Sequence, residues 1–123
     1  MPIKGIGVDA VDIERFRLSL ARTPSMRDRL FTAEELAYVA PKVDPVPSLA
    51  ARFAAREAVM KAMGLGLGAF GFHDVWVSRA DSGEPSLVVA GRAFELAKER
   101  GVSTWHLSLT HTDLVAIAYV VAH

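Results

Sequence analysis

A single carboxylate, Glu57, stands on an otherwise apolar stripe of Arg52-Phe53-Ala54-Ala55-Arg56-Glu57-Ala58-Val59-Met60-Lys61-Ala62-Met63-Gly64. At helical spacing its surface neighbours are Ala50, Phe53, Ala54, Met60, Lys61 and Gly64, all small or apolar apart from the ammonium one turn on. A carboxylate half-buried in such surroundings is costly unless a cation or several donors satisfy it, which nominates Lys61 or a metal ion. Taken alone, the two also read as an ordinary surface ion pair with Glu at i and Lys at i+4, worth roughly a few tenths of a kcal/mol.

Asp9 is the second acid. It sits where an opening strand turns into a helix, and strand parity puts it on the face of Ile3, Gly5 and Gly7, whose glycines leave room beside it. One use for Asp9 is to cap that helix, a duty Asp12 could serve equally well. If it converges with Glu57 instead, the like charges need a raised pKa or a cation between them. Two carboxylates with open positions suit a hard ion such as magnesium, which keeps several waters and takes other ligands from substrate phosphate.

Gly66-Leu67-Gly68-Ala69-Phe70-Gly71 matches the dinucleotide-binding glycine pattern letter for letter, but that pattern must follow a strand and open a helix. Here the glycines follow a helix, so they read as a connector whose amides could still face an anion. Ser108-Leu109-Thr110-His111-Thr112 puts hydroxyls and an imidazole in a turn after a strand; without a nucleophile elbow it is a poor hydrolase triad. His73, His106 and His123 have no metal-ligand spacing and receive no role.

These residues need elements to hold them. Ile3 to Val8 reads as a buried strand ending at Asp9, followed by a helix from near Asp12 to about Arg22, which Thr23-Pro24 stops. Thr32 and Glu35 have capping-box spacing for a short helix ending at Ala40-Pro41, and Ser48 is the expected N-cap of the long helix that Gly64 closes. Val75-Trp76-Val77 and Leu87-Val88-Val89 flank a turn. Gly91 to Arg100 is a helix stopped by Gly101, and Trp105 to Leu109 with Val115 to Val121 form a closing hairpin. The expected class is α+β, a single domain of residues 1–123 with a largely antiparallel sheet packed against one long central helix and shorter helices.

At 123 residues with 51% hydrophobic side chains, the chain suits one domain with a real core. Lysine plus arginine equals aspartate plus glutamate at 14 each, which removes any bulk electrostatic case for nucleic acid or a membrane surface. Locally, Arg15, Arg17, Arg22, Arg27 and Arg29 face a single intervening acid, Asp28, and make a basic patch. No cysteine is present, so disulfides and thiolate chemistry are excluded. The opening residues lack a secretory pattern, and the longest apolar run, Leu114 to Ala122, is about half a membrane span. A soluble cytoplasmic protein is expected.

Gly5-Ile6-Gly7-Val8-Asp9 with Arg15, the block Arg52 to Gly64, and Leu107-Ser108-Leu109-Thr110-His111-Thr112 together resemble the three signatures of holo-acyl-carrier-protein synthases, small 4′-phosphopantetheinyl transferases. The resemblance spans nearly the whole chain in order. It implies transfer of the phosphopantetheine arm of coenzyme A to a serine of an acidic acyl carrier protein, with release of adenosine 3′,5′-bisphosphate and magnesium as cofactor, in fatty acid or polyketide synthesis. By the same resemblance Asp9 and Glu57 hold the metal, and Asp9, Glu57 and Lys61 form the catalytic group. Arg52, Lys61, Gly64, Gly66, Ser108, Thr110, His111 and Thr112 would seat the nucleotide, and Arg15, Arg22, Arg27 and Arg29 would face the carrier protein. The family is typically trimeric with sites at subunit interfaces, His111 then coming from a neighbour.

Two positions depart from the family pattern: Arg56 stands where lysine is usual, and Thr110 where serine is frequent. Charge and hydroxyl are kept. Arginine is no proton shuttle, which counts against any role there that needs a neutral amine. The same two acids would also serve a magnesium-dependent phosphohydrolase, and the arginine patch alone would serve a non-catalytic module that docks an acidic protein.

Overall fold

In the computed structural model, which describes residues 2–123, the chain forms β1 (Gly5–Asp12), α1 (Ile13–Arg22), α2 (Met26–Leu30), α3 (Ala33–Val39), α4 (Val46–Ala62) and a 3₁₀ turn (Phe72–Asp74). It continues through β2 (Val75–Arg79), β3 (Pro85–Val89), α5 (Gly91–Glu99), β4 (Trp105–His111) and β5 (Val115–Ala122). The class is α+β. One antiparallel sheet has the order β1-β5-β4, and β2 pairs with β3 as a separate hairpin.

Helix α4 is the axis. Twelve of its seventeen residues are buried, and the small side chains of Ala50, Ala54, Ala58 and Ala62 let the sheet come close. The opposing face of the sheet is equally small: Gly5 shares a row with Ala122, Gly7 with Val120, and Asp9 with Ala118. A Cβ on Gly5 would stand 1.8 Å from the Ala62 carbonyl oxygen, and one on Gly7 1.9 Å from that of Ala58. Only glycine permits that approach. The space expected beside Asp9 is therefore taken by the α4 backbone.

This contact sets the site. Two residues of strand and four of helix each advance about 6 Å, so Gly5 over Ala62 and Gly7 over Ala58 bring Asp9 to the preceding turns of α4. Asp12, not Asp9, caps α1, its Oδ1 accepting from the Arg15 amide at 2.9 Å. Asp9 is left free for other work.

The other face of the sheet is bare. Ile6, Val8 and Tyr119 are 53%, 49% and 45% exposed, which corrects the expectation of a strand buried on both sides: the chain covers only one face of this sheet. Two further expectations change. Helix α4 starts at Val46 rather than after Ser48, with Pro47 in its first turn and Asp44 Oδ1 accepting from the Val46 amide at 3.2 Å. Helix α2 was not expected, because five residues are too few to show a helical period.

The capping box at Thr32 and Glu35 forms as read. Gly64 ends α4 with φ of 70° in a Schellman motif, its amide bonded to the Lys61 carbonyl and the Leu65 amide to that of Met60. Among the described residues no helix is long and apolar enough to cross a membrane.

Candidate active site

Asp9, Glu57 and Lys61 meet. The Lys61 Nζ donates to Asp9 Oδ1 at 3.0 Å and to the Val8 carbonyl at 3.1 Å. The simple Glu57–Lys61 pair suggested by helical spacing is therefore corrected: the strand reaches over and takes the ammonium, because Asp9 is pressed against α4 by the glycines before it. Glu57 is left half-buried. Burial first, and the Asp9 charge second, push its carboxyl above the ordinary glutamate value, and Lys61 offsets only part of this.

A cleft of about 350 Å³ opens on these acids, with Asp9, Glu57 and Phe53 on its walls and Asp12 and Arg15 from the start of α1 beside them. Such a cleft, where Asp9 and Glu57 converge and Asp12 is committed to capping α1, can hold a hard cation that takes its remaining ligands from water or a phosphate.

A second, cationic pocket lies on another face of α4. Arg52 and Glu57 are five residues apart, so they project about 140° apart around the helix. Arg52 is 1% exposed; its Nη1 donates to the Ser48 carbonyl, while Nε and Nη2 have no hydrogen-bond partner among the described residues. Its guanidinium stacks on Tyr38 at 4.5 Å from the ring centre, where Arg79 and Lys42 also approach, at 5.1 and 5.0 Å. Burial, then Arg79, hold the Arg52 pKa below the usual arginine range. Orphaned donors among three cations call for an anion. Thr110 and His111 border this pocket, which measures about 160 Å³.

The remaining nucleotide-seating candidates scatter. By strand alternation Ser108 lies on the bare outer face of the sheet, in a row with Tyr119 and away from the pocket that Thr110 borders. Thr112 is committed to its turn, its hydroxyl accepting from the Leu114 and Val115 amides at 3.1 Å each. Gly64 serves the helix end, and Gly66 has open space around it. Among the described residues, Arg15, Arg22, Arg27 and Arg29 make no side-chain ion pair, whereas Arg17 is spent on Asp44 through two 2.9 Å bonds.

Sequence reasoning missed Tyr38, Lys42 and Arg79, which belong to three different segments and share no spacing. It also saw in Glu35 only a helix cap. Glu35 is fully buried and grips Arg56 through two bonds at 2.9 and 2.5 Å while accepting from the Val77 amide at 3.1 Å. Arg56 also donates to the Phe72 carbonyl at 2.8 Å, so it is a structural clamp rather than a group open to a substrate.

The family model described as the 4′-phosphopantetheinyl transferase superfamily matches residues 5–120. The chain belongs to that superfamily. A holo-[acyl-carrier-protein] synthase of Micrococcus luteus is 48% identical over 122 residues, covering 98% of this chain and 91% of that protein. Among solved structures, the holo-[acyl-carrier-protein] synthase of Neisseria meningitidis is 34% identical, with a TM-score of 0.87 and 99% of each chain covered. That of Bacillus anthracis in complex with CoA (3′,5′-ADP) is 30% identical, with a TM-score of 0.81, covering 98% of this chain and 96% of its own. Within the superfamily the chain falls among the holo-[acyl-carrier-protein] synthases and is an enzyme, a 4′-phosphopantetheinyl transferase.

Proposed function

We propose that this enzyme moves the 4′-phosphopantetheine arm of coenzyme A onto a serine of an acidic apo acyl carrier protein, using magnesium held by Asp9 and Glu57 and releasing adenosine 3′,5′-bisphosphate. The convergence of Asp9 and Glu57 on one cleft, with Lys61 bonded to Asp9, carries this reading. A bound magnesium supplies neutralisation of the charge that builds on the breaking phosphoanhydride. Lys61 adds a mobile ammonium to the same region. The Glu57 carboxylate is the group of this chain placed to take the serine proton as the new oxygen–phosphorus bond forms and the pyrophosphate bridge breaks.

The cationic pocket at Arg52, Tyr38 and Arg79, with His111 at its border, suits a phosphate of the nucleotide. On one chain it lies around α4 from the acidic cleft. A site built from the cleft of one subunit and the pocket of its neighbour removes that difficulty, and the bare sheet face is the surface that would join them. Ile6, Val8, Ile117 and Tyr119 on that face give it the apolar character of a subunit contact. We therefore read the enzyme as an oligomer with shared sites, the trimer being what the family resemblance implies. Tyr119→Asp is expected to convert it to a monomer in sedimentation or light scattering and to lower transfer with it; wild-type protein that runs as a monomer removes the shared site.

Arg15, Arg22, Arg27 and Arg29 are the unpaired cations for the carrier protein, and Leu18, 52% exposed, lies among them on α1. The cytoplasm, where coenzyme A is available, is the compartment this reading requires. The test is mass spectrometry of apo carrier protein incubated with coenzyme A, magnesium and enzyme. The carrier gains the arm, and the rate falls as salt rises. No gain of mass sinks the proposal, and bisphosphate released without any carrier would mark a hydrolase instead.

A further inference from the structure

We infer that Lys61 is a resident counter-ion for Asp9, which the divalent cation must displace before it can bind. This rests on the proposed metal role of Asp9 and Glu57. Two observations carry it. The ammonium sits 3.0 Å from Asp9 Oδ1, on a carboxylate that a cation would need. Its other partner is only a backbone carbonyl, that of Val8 at 3.1 Å, and the side chain is 53% exposed, so nothing locks it in place.

A divalent cation lying between the two acids would be close enough to the ammonium to repel it strongly. Lysine has a flexible four-carbon stem and Lys61 is 53% exposed, so on release its ammonium is free to turn away from Asp9. It then becomes available to an incoming phosphate. Two consequences follow. Magnesium alone binds weakly, since it competes with an internal cation, and a phosphorylated ligand that gives Lys61 a new partner tightens magnesium. By reciprocity magnesium tightens that ligand.

Magnesium binding to coenzyme A–free enzyme, measured by isothermal titration calorimetry, tests this directly. Lys61→Met is expected to bind magnesium at least about fivefold more tightly than wild type, with unchanged circular dichroism, whereas Lys61→Arg stays near wild type. Arg15→Met removes a charge from the same cleft without touching Asp9, and is expected to tighten magnesium by clearly less. Magnesium affinity that is unchanged or weaker in Lys61→Met, or raised equally by Arg15→Met, overturns the inference and leaves the metal site standing. A wild-type enzyme that binds no magnesium, with or without coenzyme A, removes the metal role of Asp9 and Glu57 as well.

Discussion

Glu57→Gln is expected to lower transfer to the carrier protein by roughly a thousandfold or more, while the protein stays folded and becomes no less stable at neutral pH. The change keeps the shape of the side chain and removes a carboxylate that has two proposed duties, holding the cation and taking the serine proton. The stability half follows from the sign of its pKa shift. Burial and Asp9 raise the Glu57 pKa, so in the window above the unfolded value the folded state binds the extra proton. Stability from this group is then complete below the unfolded pKa and declines as pH rises through the folded one. Glutamine has no charge to desolvate and cannot lose a proton, so the variant escapes that decline. Rates by mass spectrometry, and melting temperatures at neutral and mildly acidic pH, read both halves. A near-wild-type rate takes Glu57 out of the site. A melting temperature that drops sharply at neutral pH instead makes Glu57 a structural group.

That pairing of lost activity with retained stability is characteristic of a group kept for function against the preference of the fold. Glu57 stood out in the sequence for the same reason, as a charge where helical periodicity calls for an apolar residue. Local rules also caught the Asp12 and Thr32 caps and the glycine that ends α4, since each involves neighbours only a few residues apart. Asp9 was legible as an acid but not as the partner of Lys61. That contact depends on Gly5 and Gly7 lying against the α4 backbone, more than fifty residues away, and glycine records the closeness without naming what comes close.

The cationic pocket was the least visible. Arg52 was picked out by resemblance, but Tyr38, Lys42 and Arg79 come from α3, the loop after it and β2, and their convergence on one ring is a product of packing alone. The bare sheet face was misread for a related reason. An apolar alternating strand has the same pattern whether its second face meets the protein's own core or another subunit.

Arg56→Met is expected to destabilise the protein by about 3–5 kcal/mol. Glu35 and Arg56 are both fully buried, and their pairing ties α3 to α4. The Val77 amide on Glu35 and the Phe72 carbonyl on Arg56 extend the tie to β2 and the 3₁₀ turn. Methionine fills much of the volume but leaves Glu35 as an uncompensated buried charge and strands the Phe72 carbonyl. In a domain of this size that corresponds to a fall in melting temperature on the order of 10 °C or more. Arg56→Lys restores the charge but not the planar fork, so it recovers only part of the loss. Glu35→Gln combined with Arg56→Met should cost less than the sum of the two single changes, since each already breaks the same pair. The double variant is not expected to return to wild type, because glutamine has one acceptor oxygen where Glu35 gave one each to the Thr32 and Val77 amides. Denaturant unfolding of the four proteins measures the coupling. Strict additivity would mean that the two side chains, though in contact, act independently, and would reduce Arg56 to one more filler of the core.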